Sequence, residues 1–349
     1  MRRLWQQVHL WLGLTLGVVG IAVGVTGSLL LYDEAIDARL NPARHAVSGT
    51  DAALSPGQYV KEAAQGRGRV VGLRLPEEAG QPVVAIVRGE GGPGVFQRVF
   101  LDPPSGRALG AAPGGGLVGW LHRFHENLTL REYHGREIVG LVGIAMLISS
   151  LSGIYLWWPG RRRVRQSLGL RAGFTLSRNL HYLAGFYGAV VLALLSFTGI
   201  WLAYVDAGRS VVAAFSPLSP SPREIQAGPP EGKTIGVDEA AAAAIALYPG
   251  AKPASLGLPA GPRGVFRVAL RTSDGPAMVY VDQGGKVLRR IDAASTSAGD
   301  RFLSTMRRLH EGEIGVAAGR PLLFLGGLLP LLLTVTGALM WLRRKSRGR

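Results

Sequence analysis

Four stretches of the chain, Leu10–Leu31, Ile138–Gly160, Asn179–Val205 and Pro321–Leu342, contain no Asp, Glu, Lys or Arg. Each reaches the ~20 residues that an α-helix needs to cross ~30 Å of hydrocarbon. Four such runs in one chain predict a membrane protein of four helices rather than a set of buried core helices. Between the spans the periodicity changes. Residues 33–137 hold a helix-like run, Pro56–Gly66, and then strand-like Val70–Leu75, Val83–Val87 and Val95–Leu101, broken by Gly and Pro clusters. Residues 206–320 repeat that order with Asp238–Leu247, Val265–Leu270, Ala277–Val281 and Val287–Ile291, and Asp282–Gly285 reads as a hairpin turn. The segment Pro217–Pro230, rich in Pro and Ser, reads as linker.

The spacing of particular residues makes this an internal repeat. His9 is followed by Gly13 and, at +17, by Thr26-Gly27; His181 is followed by Gly185 and, also at +17, by Thr198-Gly199. Gly135-Arg136 leads to Ser152-Gly153 as Gly319-Arg320 leads to Thr336-Gly337, with 18 residues from glycine to glycine in both. Upstream of these stand Phe124-His125-Glu126 and Leu309-His310-Glu311. Each half is therefore span, outer domain, span. The predicted fold is a membrane α-helical protein with four transmembrane helices in two repeats and two extracytoplasmic α+β domains. By residue number the expectation is a first span in 1–34, an outer domain in 35–134, a second span in 135–160, a basic loop in 161–178, a third span in 179–206, an outer domain in 207–318, a fourth span in 319–343 and a basic tail in 344–349.

The formal charge of +16 raises nucleic-acid binding, and its distribution removes it. Thirteen basic residues, in Arg2–Arg3, Arg161–Arg178 and Arg343–Arg349, have no Asp or Glu among them and leave a balance of +3 elsewhere. They flank the four spans on one common side, the cytoplasm by the positive-inside rule, which puts both termini there. The first apolar run is longer than a signal-peptide core and lacks a small-x-small cleavage site, so it is expected to stay as a span. With no cysteine, iron–sulfur clusters, covalent c-type haem, thiolate zinc and disulfides are excluded. Metal chemistry must rest on His and carboxylates.

Histidines that recur at span ends carry the candidate chemistry, because ionisable groups at membrane depth are costly. His9 and His181 begin the first and third spans, while His125 and His310 precede the second and fourth. Two imidazoles from different helices at one depth can bind opposite faces of a haem iron, so two pairs predict two haems. The competing reading makes all four interfacial polar residues. On the outer side His122 and His134 are alternatives to His125, and His45 lies outside the repeat as a surface residue. Arg136 and Arg320 are placed either to pair with haem propionates or to anchor the interface. Gly13, Gly17, Gly20, Gly24 and Gly27 form one stripe, expected to face another helix, with a flat porphyrin as the alternative. The Ser/Thr-Gly pairs are assigned to helix packing, with the hydroxyl on a backbone carbonyl, and Trp157, Trp158 and Trp341 to an aromatic belt. Gly89-Glu-Gly91-Gly-Pro-Gly94 fits the dinucleotide pattern on paper, but a strand-like run follows it where a helix is required.

These residues resemble the PepSY-associated transmembrane proteins, which include iron-regulated membrane proteins and siderophore-iron reductases of the bacterial inner membrane. The likeness covers nearly the whole chain through His9-x-x-x-Gly13 with Thr26-Gly27-Ser28, Phe124-His125-Glu-Asn-Leu128 with Gly135-Arg136, Ser152-Gly153-Ile-Tyr-Leu-Trp-Trp-Pro159 and Leu180-His181-x-x-x-Gly185. The resemblance implies two periplasmic PepSY-like domains and a bundle holding two b-type haems, with His9 and His181 at the cytoplasmic side and His125 and His310 at the outer side. It implies a ferric siderophore as electron acceptor; the sequence does not name the donor, for which a quinol and a cytoplasmic flavoprotein are the alternatives, and lipid surrounds the spans. A second reading is a haem-free anchored module that binds peptides or restrains a protease. A permease is less well supported, since the spans carry no acidic or basic residue apart from histidine.

Overall fold

The computed structural model describes the chain except residues 90–95, 161–163, 222–223, 231, 314–316 and 347–349. Residues 90–94 of the glycine-rich turn, Val95 of the expected third strand, and part of the basic loop and tail therefore lie outside the described residues. In chain order the elements begin with α1 (Arg2–Leu30), α2 (Asp33–Leu40) and α3 (Pro56–Ala64), then β1 (Arg69–Arg74), β2 (Val83–Arg88), β3 (Phe96–Leu101) and β4 (Ala108–Pro113). Next come α4 (Gly116–Asn127), α5 (Gly135–Trp157), α6 (Val164–Ser167), α7 (Leu176–Ala203), α8 (Val205–Ala213) and α9 (Val237–Ala246). The chain ends with β5 (Lys252–Gly257), β6 (Phe266–Thr272), β7 (Gly275–Val281), β8 (Val287–Ile291), α10 (Ala298–His310) and α11 (Gly319–Ser346).

Two compact units result, one of residues 1–33, 120–216 and 301–349, the other of 34–119 and 217–300. The first is the membrane unit: α1, α5, α7 and α11 are all long and apolar enough to span a bilayer. Helices α1 and α7 each pack against both α5 and α11, so they occupy opposite corners of a four-helix bundle. Small residues set the close contacts. The Gly17 position abuts Thr334, Gly20 abuts Met146, and Gly24 lies against the backbone of Gly327 beside Pro330, while Ser28 Oγ donates to Phe324 O at 2.8 Å. Three of the five stripe glycines thus face helices, as expected; Gly13 faces open space and Gly27 faces the His125 ring.

In the second unit, the two outer segments share one eight-stranded antiparallel sheet, in the order β4-β3-β2-β1-β5-β6-β7-β8. The expected pair of domains is joined at β1 and β5, where Gly72, Leu73 and Arg74 pair with Gly257, Leu256 and Ser255. The physical reason is the edge: a four-stranded segment presents unpaired N–H and C=O groups, and pairing two such edges satisfies both. Alternation decides the buried face. Val83, Ala85, Val87, Val99, Val268, Leu270, Val279 and Val281 point to one side and are buried beneath α3 and α9. Helix α3 starts where a capping box dictates, with Ser55 accepting from Gln58 N, Gln58 accepting from Ser55 N, and Pro56 at the first position. Asp238 at the start of α9 accepts from Ser55 Oγ and Gly57 N, at 2.9 and 2.7 Å, which ties the two helices together.

Candidate functional site: two facing histidine pairs

His9 of α1 and His181 of α7 meet between opposite corners of the bundle, their ring centres 6.2 Å apart and their planes at 90°. His125, near the end of α4, and His310, the last residue of α10, form a second pair with ring centres 6.1 Å apart and planes at 43°. Along α1, 18 residues separate His9 from Gly27, the glycine under His125, so the pairs lie ~27 Å apart in helix rise, at opposite ends of the spans.

Each ring is gripped through Nδ1. His9 Nδ1 lies 3.0 Å from Ser152 Oγ, His181 Nδ1 lies 3.0 Å from Thr336 Oγ1 and 3.1 Å from Leu333 O, and His310 Nδ1 lies 2.9 Å from Thr198 Oγ1. His125 Nδ1 lies 2.9 Å from Val23 O. A carbonyl can only accept. The three hydroxyls already donate to Ser149 O, Leu332 O and Leu194 O within their own helices, which leaves their lone pairs for the imidazoles. The network therefore assigns the proton to Nδ1 in all four rings and leaves Nε2 basic. Thr26 repeats the arrangement on α1, donating to Ala22 O and Val23 O.

Beside each hydroxyl residue a glycine makes room for the ring. A Cβ at Gly153 would come within 3.3 Å of His9 Cε1, at Gly337 within 3.3 Å of His181 Cε1, at Gly199 within 3.2 Å of His310 Cε1, and at Gly27 within 2.6 Å of His125 Cε1. The four Ser/Thr-Gly pairs, assigned from sequence to helix packing alone, are thus the seats of the four histidines. The hydroxyl-to-carbonyl bonds expected of them are present; the imidazole contacts were missed. The signal was in the sequence, since both the histidines and the Ser/Thr-Gly pairs recur at matched spacings.

The other candidates fall elsewhere. His122 Nε2 lies 3.4 Å from Asp33 Oδ2, and His134 is 84% exposed beside Glu137, so it is His125 that stands against His310. His45, read as a surface residue, is instead half-buried in the sheet unit, 2.9 Å from Asp37 Oδ2 and packed on Phe100. Arg136 donates to Leu202 O at 2.8 Å, and Arg320 is exposed at the start of α11. Trp158 is exposed, as a belt residue is, but Trp157 is 6% exposed and stacked on Phe186 at 3.9 Å.

A haem fits the geometry of both pairs. Two metal–imidazole bonds of ~2 Å in line, plus ~1 Å from each nitrogen to its ring centre, require ring centres ~6 Å apart. Among the described residues no three His, Asp or Glu side chains converge, so a bare ion at either pair would find only two protein ligands. A macrocycle would supply the missing positions. Trp157 Nε1 and a terminal nitrogen of Arg171 are buried with no partner among the described residues, and Arg171 sits over the ring of Tyr182, which neighbours His181. Such orphaned donors are what the carboxylate side chains of a haem require.

No curated protein sequence matches the chain. The family model described as the PepSY-associated TM region matches residues 6–344, and the chain, a multi-pass membrane protein with four spans and an eight-stranded sheet unit, belongs to that family.

Proposed function

We propose that the protein is a dihaem b-type electron carrier of the bacterial inner membrane that reduces ferric-siderophore iron on the periplasmic side. The observation that carries this reading is the pair of ~6 Å histidine separations, each ring locked by its Nδ1 with Nε2 left basic. His9 and His181 would hold one haem and His125 and His310 the other. When bound, haem supplies one-electron chemistry, and one electron converts tightly chelated ferric iron into weakly held ferrous iron. The chain's own residues do the rest. Nδ1–H donation to Ser152, Thr336, Thr198 and Val23 fixes ring orientation and raises the basicity of Nε2. The glycines opposite each ring let helices and imidazoles approach without a side chain between them. One-electron transfer to ferric iron moves no proton, so no general acid or base is needed.

On this reading one haem lies near the cytoplasmic face, where a quinol or flavoprotein donates, and the other near the outer face. Two PepSY-like halves, 35–134 and 207–318, then form the acceptor side, and both termini are cytoplasmic. The test is direct. Protein reduced with dithionite and freed of excess reductant is mixed with a ferric siderophore and a ferrous-iron trap in a stopped-flow spectrometer. Reoxidation of the protein matched by ferrous iron trapped is the expected result; reduced protein that persists unchanged beside the siderophore contradicts the assignment.

A further inference from the structure

The sheet face opposite α3 and α9 has an unusual composition. The eight strands carry nine Arg or Lys residues and no Asp or Glu. Strand register puts Arg98, Ile86, Gly72, Gly257, Arg267, Tyr280 and Arg289 in one transverse row across β3, β2, β1, β5, β6, β7 and β8. Two adjacent glycines form the centre of that row, Gly72 buried beside Ile86 and Gly257 beneath the Arg267 side chain. From Ile86 to Arg267 is three strand spacings, ~14 Å, and the guanidinium of Arg267 lies against the Gly257 position, with Nε 2.8 Å from where a Cβ would stand.

Arginines dominate this face. Arg69 and Arg88 lie directly opposite each other across β1 and β2, a like-charge pairing that costs stability when nothing lies between the charges. Arg74 pairs with Glu34 at 3.5 Å, Arg88 stacks over Phe96 at 5.3 Å, and Arg267 and Arg289 flank Tyr280. Among the described residues no carboxylate lies within 4.0 Å of Arg88, Arg267 or Arg289. All three are exposed in the whole chain, as is Ile86, whereas Tyr280 is 3% exposed between its arginines. Both central strands are paired on each side, so the face offers no edge to a peptide strand.

We propose that this arginine-rich sheet face is the docking site for a multiply anionic metal chelate, such as a catecholate or carboxylate complex, in preference to neutral ones. The proposal rests on the reduction reading for its metal and on the charge and register of the sheet for its site.

Gallium(III) tris-catecholate, a trianion, and neutral gallium(III) tris-acetohydroxamate are titrated calorimetrically into the full-length protein in detergent. The anionic complex binds, more weakly as salt rises, and the neutral complex does not. Arg267→Gln and Arg289→Gln each weaken binding about tenfold, and Arg267→Lys retains most of it. Circular dichroism melts confirm that each variant is folded. Equal binding of both complexes, indifference to the arginine changes, or binding of anionic lipid vesicles with no binding of the gallium trianion would overturn the proposal. Gallium is not reduced. Haem-free protein that still binds the trianion therefore contradicts the electron-transfer reading and leaves the docking site standing, whereas haem-replete protein that ignores it overturns the docking site alone.

Discussion

At each of the four histidines a hydrogen bond to Nδ1 decides what the other ring nitrogen can do. Ser152 and Thr336 do this for His9 and His181; Ser152→Ala leaves the His9 ring free to turn, and Thr336→Val leaves His181 held by Leu333 O alone. Haem affinity is then expected to fall about 10- to 100-fold, read as faster haem transfer to an apo-globin acceptor, with Ser152→Thr close to wild type. Unchanged transfer would mean that the hydroxyls serve helix packing only. The histidines themselves were legible in the sequence because they recur at matched positions. That the equally recurrent Ser/Thr-Gly pairs are their seats was not, because the bonded partners lie 143, 155 and 112 residues away and nothing in local pattern joins a histidine to its seat. The same scale holds a pH prediction in the sheet unit. Burial alone would raise the Asp102 carboxyl, but hydrogen bonds from Ser105 and Ser48 overcome it and hold the group at about 2. Since the folded value lies below the unfolded one of ~3.9, its stabilisation is complete above pH ~4 and lost as pH falls through about 2. Asp102→Asn should remove that acid sensitivity locally and weaken hydrogen-exchange protection of β3 and β4 already at neutral pH. Protection that matches wild type at every pH would contradict it.

Among the elements, α1 does the most with the smallest side chains. Gly24 lies against the Gly327 backbone, so Gly24→Leu should force α1 and α11 apart, at a cost of about 1–3 kcal/mol. The expected readouts are a lower melting temperature and weaker haem retention, since α1 carries His9 and the seat of His125. An unaltered melt would show that the contact yields easily. The glycine spacing announced this stripe, and the long apolar runs announced the spans. Strands with large β-branched residues at alternate positions, such as Val83–Val87, were equally plain. Strands β4 and β5, with the sequences Ala-Leu-Gly-Ala-Ala-Pro and Lys-Pro-Ala-Ser-Leu-Gly, were not, because small residues and proline give no alternation. Helices α4 and α10 escaped notice too; they are short amphipathic stretches beside stronger apolar runs, yet they deliver His125 and His310.

At the scale of the whole molecule, a chain that reads as two copies of span, outer segment, span closes on itself twice. The sheet closes by pairing β1 with β5, a contact between distant segments that no local signal specifies. The bundle closes by bringing a histidine from each half into each facing pair. The central claim is that those pairs each hold a haem, and a pyridine haemochrome assay on protein purified in mild detergent from haem-replete cells tests it most directly. About two b haems per chain in the wild type and about one in His9→Ala or His310→Ala is the predicted result. Haem-free wild-type protein, or a stoichiometry indifferent to both substitutions, would contradict the account.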